Sequence, residues 1–183
     1  MFNRGSHTSI QADEMALMIL GLNGEEFAAW PESVRELSRA LAEELFLVRC
    51  NPFIDSDLVH ESVQSEFKRC KAGLDAKYAD ALELGIDRFW DDYDQDQEFR
   101  EAVLRDLAEI LPPAAIDASP EAVMSAATDA TDLRLELPMV MLLPEDTEQI
   151  QAIVRLAGEK NFSLVPRGGG SGMTGGAIPY NRR

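Results

Sequence analysis

The chain contains little cysteine and little histidine. Its 183 residues include two cysteines, Cys50 and Cys70, and two histidines, His7 and His60. The cysteines form no C-x-x-C pair and the histidines stand alone, so neither residue type shows the spacing of a zinc or iron–sulfur site. Two widely spaced cysteines do not make a disulfide framework either. We therefore predict no metal site in this chain and two reduced thiols.

Long apolar runs and basic charge are also scarce. No run approaches the roughly 18 apolar residues of a membrane-spanning helix, and the N-terminus lacks a basic stretch followed by an apolar one. Lys and Arg number 17 against 33 Asp and Glu, a net charge of −16, and the acidic excess lies in residues 1–137. Such a surface repels nucleic acid and anionic lipid. These absences predict a cytoplasmic protein without a nucleic-acid partner or a transmembrane segment.

Apolar residues recur at spacings of three and four through most of the first 130 residues, a pattern typical of amphipathic helices. Proline and glycine mark expected ends: Pro31 opens one helix, Gly85 ends another, and Pro112 stops a third. The predicted helical segments are 13–22, 31–48, 57–84 in two pieces, 89–111 and 119–127. Residues 1–130 are therefore predicted to be a helical domain whose role the pattern leaves open.

The character of the sequence changes after residue 130. Apolar and charged residues alternate over 133–137, and an apolar run at 139–143 lies between two prolines, as strands do. A helix capped near Asp146 and ending near Asn161 follows, and then a further strand at 162–165. The helix is predicted to turn four apolar residues inward: Ile150, Ile153, Val154 and Ala157. This order predicts an α+β fold in which residues 131–183 begin a second, incomplete domain of β-α-β form.

A glycine-rich segment follows the last predicted strand. Six of the eleven residues at 166–176 are glycine, which removes the Cβ atoms that hold a ligand away from the main chain. Glycine also permits positive φ angles, so that successive backbone N–H groups can face one concavity suited to phosphate or pyrophosphate. The candidate cofactor-binding residues are Pro166, Arg167, Gly168, Gly169, Gly170, Ser171, Gly172, Met173, Thr174, Gly175 and Gly176.

Two familiar nucleotide loops fit this segment poorly. A Walker-type phosphate loop needs a lysine after its last glycine, and the chain has no lysine after Lys160. The dinucleotide fingerprint G-x-G-x-x-G is present at 170–175, but it must open a helix. Gly176 and Pro179 follow instead, so a pyridine-nucleotide dehydrogenase is disfavoured.

Residues 133–180, taken together, resemble the opening of the FAD-binding domain of the FAD-linked oxidases, the p-cresol methylhydroxylase and vanillyl-alcohol oxidase fold. That family includes D-lactate dehydrogenase-like and glycolate oxidase-like enzymes. The resemblance implies that the backbone N–H groups of 167–176 face the FAD pyrophosphate, with hydroxyls offered by Ser171 and Thr174. Ser171 occupies the position of a histidine that attaches FAD covalently in some relatives, which implies non-covalent FAD here.

Two further stretches resemble one subgroup of that family. They are Arg49-Cys50-Asn51-Pro52-Phe53 followed by Asp57-Leu58, and the segment 127–134. The subgroup comprises large bacterial FAD-linked oxidases with a helical N-terminal domain and iron–sulfur domains downstream. For this chain the resemblance implies that any iron–sulfur cluster belongs to those downstream domains.

These features predict that the chain is the N-terminal part of an FAD-dependent oxidoreductase, a flavoprotein. The resemblance implies that the intact enzyme oxidises a small 2-hydroxy acid such as D-lactate or glycolate. No residue of the chain is a candidate catalytic acid, base or substrate ligand, so the part alone is expected to be inactive. The alternative is a helical protein-interaction module that carries a vestigial flavin-binding segment and has no enzymatic activity.

Overall fold

The structure is a computed structural model that describes residues 4–131 and 136–181, with side chains from residue 12 onward. The described residues are mostly helical and include one two-stranded sheet, which confirms the α+β class. The elements are α1 (Arg4–Leu20), α2 (Gly24–Ala28), α3 (Glu32–Cys50), α4 (Ser56–Lys71), α5 (Ala76–Ala108), β1 (Ile116–Asp117), α6 (Pro120–Ala126), β2 (Met141–Leu142) and α7 (Thr147–Lys160).

The chain divides into two compact units, residues 1–94 and 95–183. Helix α5 contributes residues to both units. The predicted domain boundary near residue 130 rests on composition and stays a prediction. Within the second unit, α5 residues such as Leu107 share an apolar core with Ile153 and Leu156, so the end of α5 packs with α7.

The first unit is built on α1, α3 and α4, which pack in that order, with the first half of α5. Two arginines of α3 tie it to α1, because Arg35 Nη2 and Arg39 Nε each lie 2.6 Å from a carboxylate oxygen of Asp13. Burial disfavours ionisation of Asp13, but the hydrogen bonds from Arg39 and Arg35 outweigh it and lower the pKa of this carboxyl. The main buried side chains here are Leu20, Phe27, Leu41, Leu45, Val63, Leu82 and Ile86.

Helix α1 ends in a left-handed glycine. Gly21 has φ +57, and the backbone N–H of Leu22 donates to the carbonyl of Leu17 at 3.1 Å, the long bond of a Schellman motif. The carbonyl of Leu20 then accepts from Arg88 Nη2 of α5 at 2.7 Å. This polar contact holds the end of α1 beside α5.

Helix α5 continues through Gly85, so the prediction that this glycine ends a helix is wrong. A Cβ built on Gly85 would lie 2.6 Å from the carbonyl oxygen of Leu20. The position therefore needs glycine for the close approach of α1 to α5, and not for a turn. The segment predicted at 89–111 is the second half of the same helix.

The second unit packs the end of α5 against α7 and the small sheet. Its buried core contains Val103, Leu107, Leu111, Ala115, Ile153 and Leu156. Strands β1 and β2 are antiparallel, with Ile116 opposite Leu142 and Asp117 opposite Met141. Arg100 of α5 donates to the carbonyl of Met139 at 2.9 Å and to that of Ala118 at 3.1 Å, which joins the helix to the segments beside both strands.

The structure bears on two predicted strands and one predicted helix face of the second unit. The predicted strand at 162–165 is wrong, because this segment pairs with no strand among the described residues and a strand needs a partner for its backbone groups. The prediction for 133–137 falls largely outside the described residues. On α7, Ile153 and Ala157 are buried as predicted, whereas Ile150 and Val154 are 49% and 54% exposed.

Candidate functional site

Helix α7 leads the chain to the glycine-rich segment. Its first turn is capped by Asp146, whose Oδ1 accepts from the backbone N–H of Gln149 at 2.7 Å, and Gln149 Oε1 accepts from the N–H of Glu145 at 2.8 Å. At its other end Asn161 adopts φ +60, and the N–H groups of Asn161 and Phe162 both donate to the carbonyl of Ala157. This left-handed cap reverses the chain toward residues 166–176.

The glycine-rich segment 166–176 is largely exposed, and its backbone is open to approach. A Cβ built on Gly168, Gly169 or Gly172 would meet no atom within 4 Å. The neighbouring Met173 is 81% exposed, and Ser171 and Thr174 are exposed too. Residues 162–181 contain one charged side chain, Arg167, and no carboxylate. An exposed backbone with a cation and no acid of its own favours an anionic ligand.

Two glycines of this segment have left-handed backbone angles, φ +64 at Gly170 and φ +75 at Gly175. A side chain at either position would be strained, since L residues other than Asn and Asp rarely adopt such angles. At Gly170 a Cβ would also lie 2.3 Å from Nη2 of Arg167. The shape of the segment therefore depends on glycine at both positions.

The Arg167 side chain folds back over its own loop. Its Nη1 donates to the carbonyl of Ala177 at 3.1 Å, and its Nη2 donates to the carbonyl of Ser125, in α6, at 3.3 Å. The guanidinium thus bridges the C-terminal end of the loop and a segment that lies 42 residues earlier in the chain. Both hydrogen bonds lie at the protein surface.

The carboxylate of Asp129 is hydrogen-bonded within its own turn. Its Oδ1 accepts from the backbone N–H of Thr131 at 2.8 Å and from the Thr131 hydroxyl. These hydrogen bonds lower the pKa of Asp129, and the charge of Arg167 and the N–H of Ala177 lower it further. Asp129 Oδ2 is buried and meets no donor in full hydrogen-bond geometry among the described residues. Asp129 is therefore an anion whose charge attracts the charge of Arg167.

The downstream end of the loop is fixed by packing. Ile178 is fully buried, and its N–H approaches the carbonyl of Gly175 at 3.4 Å. The Tyr180 hydroxyl donates to the same carbonyl at 3.1 Å. The exposed glycines are thus held between Arg167 at one end and these contacts at the other.

The structure gathers the eleven predicted cofactor-binding residues into one exposed loop, and their contact with a cofactor stays a prediction. Sequence reasoning missed Asp129 and Tyr180, which support this loop from outside the predicted set. The pattern Asp129-x-Thr131 is a signal for a side-chain-capped turn. The pattern does not encode which residues more than thirty positions later come near this turn, because that proximity depends on the tertiary fold.

Neither a metal site nor a membrane span emerges from the part of the chain that the structure describes. Within 4–131 and 136–181, no three or more His, Cys, Asp or Glu side chains are grouped to hold a metal ion. No described helix is both long enough and apolar enough to cross a bilayer.

Residues 138–182 match the FAD binding domain family. The chain is 42% identical over 40 residues to a D-lactate dehydrogenase of Archaeoglobus fulgidus, which covers 22% of this chain and 9% of that protein. It is 41% identical over 44 residues to a D-2-hydroxyglutarate dehydrogenase of Xanthomonas citri pv. viticola, covering 24% of this chain and 9% of that protein. No solved structure matches the chain.

A third relative is similar to this chain over a longer segment. The glycolate oxidase subunit GlcD of Escherichia coli is 30% identical over 83 residues, covering 45% of this chain and 17% of that subunit. The chain thus spans less than a fifth of the length of each of these relatives. Together the similarities support an FAD-linked oxidase family and FAD as the cofactor, and the family match includes the whole loop 166–176.

Proposed function

We propose that this chain is the N-terminal part of an FAD-dependent oxidoreductase that oxidises a small 2-hydroxy acid. The observation that carries the proposal is the loop 166–176, where Gly168, Gly169 and Gly172 leave the backbone open inside the segment that matches an FAD binding domain. The named relatives act on D-lactate and D-2-hydroxyglutarate or carry the name glycolate oxidase, and these compounds are all 2-hydroxy acids.

The residues present fit the FAD pyrophosphate. Backbone N–H groups along 168–176 would bind the phosphate oxygens, and the Ser171 and Thr174 hydroxyls would add further donors. Because Ser171 is no nucleophile toward the flavin, the cofactor is held without a covalent bond. Bound FAD supplies the two-electron acceptor for oxidising the substrate hydroxyl. The role of this chain is to bind and orient the cofactor.

An exposed apolar surface in the second unit supports the view that the functional domain is larger than this chain. Ile150 and Val154 lie four residues apart on α7, and both are about half exposed; Leu164 and Val165 in the unpaired segment are 41% and 36% exposed. Ile150 and Val154 share one face of α7, and adjacent exposed apolar side chains of this kind offer a surface that further protein can cover. In this proposal the remainder of the FAD domain packs here and supplies strand partners for 162–165.

The proposal places the protein in the cytoplasm, within the subgroup whose iron–sulfur domains lie further along the chain. Its two cysteines are thiols and make no disulfide. Any iron–sulfur cluster would be held by those other domains, since the described residues group no metal ligands. The helical first unit is then an accessory to the oxidoreductase.

The test is flavin content and reduction in the full-length protein that contains this chain. We expect purified protein to carry flavin that acid precipitation releases into the supernatant. Anaerobic addition of D-lactate, glycolate or D-2-hydroxyglutarate, one at a time, should bleach the flavin absorbance with at least one of them. A succinate control separates 2-hydroxy acids as a class from simple carboxylic acids, because succinate carries no hydroxyl group.

The alternative function, a protein-interaction module with a vestigial flavin segment, predicts the opposite result. The acidic excess of residues 1–137 is the feature that favours it, since such a surface can dock a basic partner. Full-length protein that holds no flavin, even after added FAD, would contradict the oxidoreductase, and capture of a basic partner by residues 1–137 would then support this alternative.

A further inference from the structure

We propose that Arg167 is a positioning residue that holds the glycine-rich loop in the shape that binds FAD, and that the carboxylate of Asp129, itself hydrogen-bonded by Thr131, favours this placement of Arg167 through its charge. We call Arg167, Asp129 and Thr131 the loop clamp. That FAD is the ligand rests on the proposed function. The way Arg167 holds the loop rests on contacts within the second unit. It assigns a role to residues 129–131, which lie outside the matched FAD-binding segment 138–182.

Arg167 joins its own loop to a distant segment. Its Nη1 and Nη2 donate to the carbonyls of Ala177 and Ser125, which lie on two separate segments. A planar guanidinium can span two acceptors at once, whereas a lysine ammonium is a single point charge. Arg167 therefore serves to fasten the loop.

The Arg167 side chain also packs on Gly170. A Cβ at Gly170 would lie 2.3 Å from Nη2 and 2.7 Å from Cζ of Arg167, so the guanidinium rests directly on this glycine. Gly170 also has φ +64. The turn at Gly170 and the placement of the guanidinium therefore require one another, and both shape the backbone between Gly168 and Gly172.

The carboxylate of Asp129 adds a favourable charge. Its Oδ1 accepts from the N–H and the hydroxyl of Thr131, and these hydrogen bonds favour the ionised form of Asp129 and lower its pKa. The negative charge of Asp129 and the positive charge of Arg167 attract one another. Asp129 thus favours the folded-back position of Arg167 over one that extends into solvent.

The experiment compares four variants of the full-length protein: Arg167→Gln, Arg167→Lys, Asp129→Asn and the double variant Arg167→Gln/Asp129→Asn. Arg105→Gln is the matched control, because Arg105 lies in the same unit, is 71% exposed and pairs only loosely with Glu101, at 4.0 Å. Two quantities are measured: the Kd for FAD, and the rate at which thermolysin cleaves the Gly176–Ala177 bond. The Ala177 carbonyl accepts from Arg167 and the next residue, Ile178, is buried, so this segment must be released before it is cut.

We expect Arg167→Gln to raise both the Kd and the cleavage rate about tenfold, Asp129→Asn to raise both about threefold, and Arg105→Gln to change neither. Arg167→Lys should recover part of the loss, because it keeps the charge but cannot bridge two carbonyls. The fold-change in the double variant should be smaller than the product of the two single-variant fold-changes, because both substitutions disrupt the same loop clamp. Unchanged thermal midpoints would show that the effect is local.

Cleavage rates and affinities equal to those of Arg105→Gln would overturn the clamp, and so would fully multiplicative effects in the double variant. If Arg167→Gln does not fold, the Kd and the cleavage rate of Arg167→Lys and Asp129→Asn are compared with those of Arg105→Gln instead. If the unmodified protein binds no FAD, the proposed function fails, whereas the clamp is still decided by the cleavage rates alone.

Discussion

Replacing Gly170 by alanine should weaken FAD binding by about tenfold to a hundredfold. The left-handed angle of Gly170 costs an L residue roughly 1–2 kcal/mol, and the new Cβ displaces the guanidinium of Arg167 from the two carbonyls that it bridges. The binding-competent loop then becomes a minor state, and the apparent Kd rises in proportion. The measurement is a fluorescence titration of the full-length apoprotein with FAD.

Gly172→Ala is the matched control for this prediction. Gly172 is in the same loop, has no positive φ and would place its Cβ in open space. Thermolysin cleavage of the Gly176–Ala177 bond in the FAD-free protein should therefore rise in Gly170→Ala and stay unchanged in Gly172→Ala. Any loss of FAD affinity in Gly172→Ala then reports the close approach of the cofactor. Equal cleavage of the two variants would contradict the role given to Gly170.

Gly85→Ala is expected to destabilise the first unit by about 1–3 kcal/mol, the range for overpacking a filled site. The added Cβ would lie 2.6 Å from the backbone carbonyl oxygen of Leu20, and backbone cannot rotate away as a side chain does. The same carbonyl accepts from Arg88, so moving it also disturbs that hydrogen bond. Thermal unfolding followed by circular dichroism should show a midpoint several degrees lower.

Gly158→Ala, in contrast, is expected to stabilise the protein. Gly158 lies inside α7, and a Cβ there would meet no atom within 4 Å. Alanine is favoured over glycine in helices by up to about 1 kcal/mol, so this variant should be slightly more stable than the unmodified protein. If Gly85→Ala raised the unfolding midpoint as Gly158→Ala does, the close contact between α1 and α5 would be refuted.

The sequence predicted the helices well because their signals are local. Apolar spacing located α3, and the caps at Ser119 and Asp146 fall where the side chains suggested. Gly85 was misinterpreted because a glycine that ends a helix and one that admits a neighbouring helix look alike in sequence. The identity of the neighbour, here the carbonyl of Leu20, is a tertiary fact.

In the second unit, too, features set by neighbouring residues were predictable from the sequence, and features set by distant residues were not. The glycine pattern at 166–176 marked an anion-binding loop, because the requirement for small residues is local. The strand at 162–165 was predicted from its apolar residues, but strand formation depends on a partner, which the described residues do not supply. The loop's contacts with Ser125 and Asp129 span about forty residues, and no periodicity encodes them.

The central claim is that the backbone of 168–176 binds the pyrophosphate of FAD. Hydrogen exchange of the full-length protein, followed by mass spectrometry with and without cofactor, measures this most directly. We predict that FAD slows exchange of the amides in 168–176, and that riboflavin, which has the flavin ring but no pyrophosphate, leaves them unprotected. Equal protection by riboflavin and FAD, or FAD binding that leaves these amides unprotected, would contradict the claim.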